Sequence, residues 1–161
     1  AIAAAFTVDD PVEALHIGLD EIPSECRFAQ AVRWALNVAP SITDYRVAHE
    51  AIGEYFKGMH RVHAINNACL TIWGLTIGGR DVTRVIGETV AMGYDNDCTA
   101  ATAGSIVGAV VGRSGVPEHW WKNFNNKSLS YLNGHPHFAI DDLVDRFTVQ
   151  AAAVRRHAFS D

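Results

Sequence analysis

The chain is poor in the features that mark several common protein classes. It has three cysteines in 161 residues, Cys26, Cys69 and Cys98. They are widely spaced, odd in number and form no Cys-x-x-Cys pair, which excludes a disulfide framework and a cysteine-built zinc knuckle. Reduced, mostly buried thiols of a cytoplasmic protein are the expectation. Basic charge is also scarce. Lys and Arg number 13 against 18 Asp and Glu, a formal net charge of −5, and Arg155-Arg156 is the only adjacent basic pair. A chain without a basic stripe is not expected to bind nucleic acid. No charged segment followed by an apolar one marks a signal peptide. No run approaches the ~20 apolar residues that span a bilayer, so no membrane partner is expected. Alternating β-branched runs bounded by turn signals are missing too, which argues against a sheet protein.

What remains is apolar and helical. Hydrophobic residues make up 48% of the chain and charged residues 19%, enough to bury a core. Residues 1–161 are expected to form a single all-α domain, or the C-terminal part of a larger one, with no internal boundary. The chain begins at Ala1, without Met, inside the apolar run Ala1–Phe6, and the expectation is that it belongs to a longer protein.

Helix signals follow in order. Asp10-Pro11 starts one helix, and Pro23-Ser24-Glu25 starts another with Cys26, Ala29, Val32 and Leu36 inward. Ser41 or Thr43 can cap a third. A fourth is expected from Met59 to Leu75, stopped by Gly78-Gly79, and a fifth from Asp81 to Ala91. The next runs to Gly112. Trp120 and Trp121 then read as core plugs, Asn123–His137 as loop, and Ile140 to about Arg156 as the last helix.

Two stretches hold chemistry-bearing residues. In Gly93-Tyr94-Asp95-Asn96-Asp97-Cys98, two carboxylates sit two residues apart at the mouth of a helix. Behind them Ala100, Gly104, Gly108 and Gly112 recur every four residues, a face small enough for a neighbouring helix to approach closely. Capping explains one aspartate, because a helix N-terminus offers free N–H groups and a favourable dipole. The second carboxylate repels the first, and a shared hard cation such as Mg²⁺ is the other reading. Cys98 lies at the same helix start, but the adjacent carboxylates oppose its ionisation, so a nucleophilic thiol is not expected. In the second stretch, His60 and His63 are three apart and Asn67 follows four later. Zinc would need a third ligand that this segment lacks. Satisfied polar residues and the wall of a substrate cleft are the alternatives.

The run Gly93–Ala109, with Gly112, Pro117 and Trp120 after it, resembles the C-terminal signature of the ADP-ribosylglycohydrolase family. That signature is a Gly-Asp-Thr-Asp type run, an Ala/Gly-rich helix and a Pro-x-x-Trp. Met59–Ala68 and Glu21-Ile22-Pro23 are similar to the same family. The resemblance implies a multi-helix orthogonal bundle with two Mg²⁺ ions in a central cleft, and a metal-dependent hydrolase that cleaves an ADP-ribosyl or related ribosyl bond. A catalytically inactive ADP-ribose-binding or structural protein of the same fold is the alternative. On this resemblance Asp95 and Asp97 are metal ligands, and His63, Asn67 and Tyr94 are expected to bind substrate, which is free or protein-linked ADP-ribose. Asn96 replaces the usual Thr. Cys98 stands where many members carry a metal-binding Thr, and a thiol is a poor Mg²⁺ ligand. The family's second acidic cluster and its acid/base carboxylate lie in Gly-Asp and Thr-Asp-Asp motifs near its N-terminus. No position here matches them, so the catalytic residue is unassigned and an N-terminal segment is expected to supply them.

Overall fold

The computed structural model describes residues 1–158. Contacts divide the chain into two compact units, Ala1–Pro117 and Glu118–Asp161, where the sequence shows no linker-like stretch. Among the described residues the fold is all-α apart from one β-hairpin. Among the described residues, no helix is long and apolar enough to cross a membrane.

The first unit contains α1 (Ile2–Ala5), α2 (Pro11–Asp20), α3 (Arg27–Val38), α4 (Tyr45–Tyr55), α5 (Ala64–Gly78), α6 (Val82–Ala91) and α7 (Asn96–Gly115). Its axis is α5, which is buried almost all round from Asn66 to Leu75. Such a helix belongs at the centre of a core. It packs against α2, α3, α4, α6 and α7. Trp73, fully buried, donates from Nε1 to the Ala35 carbonyl at 2.9 Å, so its ring fills the α3–α5 contact while its one polar atom stays paired. Cys69 donates from Sγ to Ala31 one turn earlier. Burial pushes that thiol up to about 12, which keeps it neutral and inert.

Several local expectations are corrected. The fourth helix begins at Ala64 and not Met59, because His60–His63 form a turn whose carbonyls are taken by asparagine side chains. Asp44 caps α4, where Ser41 or Thr43 had been expected. Cys26 is the N-cap of α3, its sulfur accepting from Ala29 N–H at 3.3 Å. Only Cys69 of the three thiols is buried, and Cys98 is exposed.

The small-residue face is the most instructive correction. The close helix approach lies on α5, where Gly74 and Gly78 meet α6. A Cβ on Gly74 would fall 1.8 Å from Thr89 Oγ1, and one on Gly78 would fall 2.4–2.7 Å from Val85. On α7 the buried residues are Thr99, Ala100, Ala103, Ile106 and Val107. Gly104 has ordinary clearance from Ile86, and no atom lies within 4 Å of a Cβ built on Gly108. Four-residue spacing put α7's small residues on one face, but its larger apolar residues determined which face was buried. Gly112, at φ +66°, breaks the helix where the sequence stops it.

The second unit opens with two 3₁₀ turns, Glu118–Trp120 and Lys122–Phe124. Strands β1 (Lys127–Leu132) and β2 (His135–Ala139) then pair antiparallel, followed by α8 (Ile140–Ala158). The hairpin lies where a loop was expected. Asn133-Gly134 forms its turn, with Gly134 at φ +75°. Its strands, Lys-Ser-Leu-Ser-Tyr-Leu and His-Pro-His-Phe-Ala, hold no β-branched residue and so lack the usual signal. Neither Trp plugs the core: Trp120 is partly exposed and Trp121 is 41% exposed.

Candidate metal centre

The acidic stretch is held by an unusual backbone. Gly93 and Tyr94 have φ of +77° and +62°, a left-handed pair that turns the chain from α6 into α7. For Tyr94 this conformation costs about 1–2 kcal/mol, so its surroundings must secure it. Its half-buried ring lies between the edge of His49, at 5.6 Å between centroids, and the Arg61 guanidinium, 5.4 Å from the ring centre. His49 Nδ1 also donates to the Met92 carbonyl at 2.8 Å. The sequence alone did not point to His49, which lies 43 residues before its partner.

Asn67 supplies the second anchor. Its Oδ1 accepts from Asp95 N–H at 3.1 Å. Its Nδ2 donates to the carbonyls of Arg61 at 2.6 Å and His63 at 3.0 Å, and meets Asn66 Oδ1 at 3.0 Å. Asn66, fully buried, donates to the His60 carbonyl at 2.9 Å. Two amides in an apolar helix would each cost about 1–3 kcal/mol if unpaired. Among the described residues no buried side-chain nitrogen or oxygen lacks a partner. The Asn66-Asn67 pair thus ties the 60–63 turn, the start of α5 and the start of α7 into one network.

The expected His60–His63 helix face does not exist. Each imidazole accepts a backbone N–H within the turn, His60 Nδ1 from Val62 and His63 Nδ1 from Ile65, and both are exposed. Among the described residues neither joins a cluster of three metal-ligating groups. Of the residues expected to bind substrate, the structure brings Asn67 and Tyr94 to the acidic stretch and leaves His63 as the N-cap of α5.

Asp95, Asp97 and Cys98 do converge, with one ligand atom from each within 4.8 Å of the others. Asp95 is partly buried, while Asp97 and Cys98 are exposed. Asp95 holds the N-cap position of α7, yet its side chain makes no capping bond. Asp10, Asp44 and Asp81 hold the same position on α2, α4 and α6, and each accepts backbone N–H bonds at 2.7–3.2 Å. Capping therefore leaves both carboxylates of the α7 start unexplained.

Two carboxylates this close repel by about 1 kcal/mol in a water-like medium and more where water is thinned. The helix dipole returns about 0.3–1 kcal/mol. The Cys98 thiol shows the resulting field. A hydrogen bond to Asp95, then the charges of Asp95 and Asp97, push it above its ordinary value, against the downward pull of a helix N-terminus. The donor set is two hard oxygen ligands and one neutral thiol. The carboxylates fit a hard divalent cation; the sulfur does not.

The sequence model of the ADP-ribosylglycohydrolase family matches residues 1–156. Neither a curated protein nor a solved structure matches the chain.

Proposed function

Because this chain belongs to the ADP-ribosylglycohydrolase family, we propose that it contributes Asp95 and Asp97 to a Mg²⁺-dependent site that hydrolyses the glycosidic bond of an ADP-ribosyl or related ribosyl group. The observation that carries this reading is the Asp95 carboxylate, which occupies a capping position without capping and lies beside Asp97 and Cys98. Asp95 and Asp97 would hold the ion through carboxylate oxygens. A bound Mg²⁺ supplies charge that orients ribose hydroxyls and polarises water at the anomeric carbon. The chain's own residues position that charge. Asn67 fixes the Asp95 backbone, and Tyr94, packed against His49 and Arg61, fixes the turn ahead of it. Substrate is free or protein-linked ADP-ribose, and its acid/base carboxylate comes from residues other than these.

Calorimetric titration with Mg²⁺ tests the assignment. The wild-type chain should release or take up heat on binding, and an Asp95→Asn, Asp97→Asn variant should lose that signal. Equal affinity in the two would sink it. A binding protein without catalysis is the second reading, favoured by Cys98 in the donor set. Thermal stabilisation by ADP-ribose with Mg²⁺, without release of ribose product, would select it.

A further inference from the structure

A cation stands beside the acidic stretch and is not used by it. Arg61 lies in the turn before α5. Its carbonyl accepts from Asn67 Nδ2 at 2.6 Å, while Oδ1 of the same amide accepts the Asp95 N–H at 3.1 Å. One side-chain amide thus bridges the backbone of residues 61 and 95. The His60 and His63 carbonyls are bonded by Asn66 and Asn67 as well, so the turn is held firmly against the start of α7. The Arg61 side chain reaches the same place. Its guanidinium lies 5.4 Å from the centre of the Tyr94 ring, and Tyr94 directly precedes Asp95.

Arg61 does not neutralise the carboxylates it approaches. Among the described residues no salt bridge links it to Asp95, Asp97 or any other carboxylate. The ring contact fixes where the guanidinium sits. It leaves five N–H donors without an oxygen acceptor, in a fork whose shape matches phosphate. His60 and His63 accept backbone N–H bonds at Nδ1, which places each ring proton on Nε2, so the turn's fixed positive charge is that of Arg61. Charge then says what the fork is for. Two carboxylates balance one divalent cation and leave no net attraction for an anionic substrate. Arg61 adds the surplus positive charge that a phosphate needs.

We propose, on the premise that Asp95 and Asp97 hold Mg²⁺, that Arg61 binds a phosphate group of the substrate and makes the site selective for phosphorylated ribosyl compounds over neutral ribosides. Tyr94 positions the guanidinium, and Asn67 fixes its turn relative to the carboxylate pair.

Calorimetry on the whole chain tests it, with ADP-ribose and adenosine as probes, each in Mg²⁺ and in chelator. The wild type should bind ADP-ribose more tightly than adenosine. Arg61→Gln should weaken ADP-ribose binding about tenfold or more with its Mg²⁺ affinity unchanged, and Arg61→Lys should recover part of the loss. Mg²⁺ titration without nucleotide tests the premise separately: absence of heat in the wild type defeats the metal reading, while the ADP-ribose difference between wild type and Arg61→Gln still decides the role of Arg61. A wild type that does not bind ADP-ribose, or binds adenosine equally well, would overturn the proposal. So would Arg61→Gln with wild-type affinity for ADP-ribose, or with Mg²⁺ and ADP-ribose binding lost together, which marks a structural role.

Discussion

Among the described residues four helices begin at an aspartate, and three of those aspartates do what a helix start asks of them. Asp10, Asp44 and Asp81 accept N–H bonds from the first turn. Asp95 does not. The same residue at the same helix position bonds the backbone in three cases and, in the fourth, meets only the Cys98 thiol. The difference lies in how the chain enters each helix. The three capping residues are extended or near-extended, with ψ of 125°, 175° and 100°. Asp95 enters at ψ 60° from the left-handed Gly93-Tyr94 pair, with its N–H held by Asn67. A network in the core thus prevents the carboxylate from capping and presents it beside Asp97.

Removing that network should have the largest effect. Asn67→Leu leaves the Asp95 N–H and the Arg61 carbonyl without their side-chain partner and leaves the His63 carbonyl with only its backbone donor. It should cost about 3 kcal/mol, read as a drop in the denaturant midpoint. A loss below about 1 kcal/mol would mean that Asn67 does not anchor the site.

A second contrast uses the two glycine rows. Gly74→Ala drives a methyl into Thr89, whose hydroxyl is buried and bonded to the Val85 carbonyl at 2.7 Å, and should destabilise by about 2 kcal/mol. Gly108→Ala meets open space and should stabilise by up to about 1 kcal/mol through helix propensity. Thermal unfolding of the pair checks both signs. Equal effects would mean that the two rows are buried alike.

The third contrast is the smallest in energy. Asp44→Ala should cost about 1 kcal/mol, the usual worth of an N-cap. Asp95→Ala in chelator should cost nearly nothing, since it removes no cap and relieves repulsion from Asp97. Chemical denaturation of the two variants side by side reads this difference.

Much of the fold was legible because helix punctuation is local. Asp10-Pro11, Asp81 and Gly112 mark boundaries that a sequence displays directly. The centrality of α5 was less visible, since the Asn66-Asn67 pair on an apolar helix did not say what it bonds. That pairing is long-range: Asn67 reaches Asp95 across 28 residues. The turn at His60–His63 was missed for the same reason, because its carbonyls are satisfied by side chains that helix periodicity ignores. The hairpin was hidden by serines and histidines in its strands. For the acidic stretch, Asp95 and Asp97 were legible as a pair, and the structure adds that Asp95 is not a cap.

If Asp95 and Asp97 hold a divalent cation, its binding must depend on the Asp95 carboxylate. The most direct measurement is the melting temperature of wild type and of Asp95→Asn, each in chelator and in saturating Mg²⁺. The wild type should rise with Mg²⁺, by of order 2–3 kcal/mol in stability at a hundredfold excess over Kd, and the variant should not. Identical Mg²⁺ responses in the two proteins would contradict it.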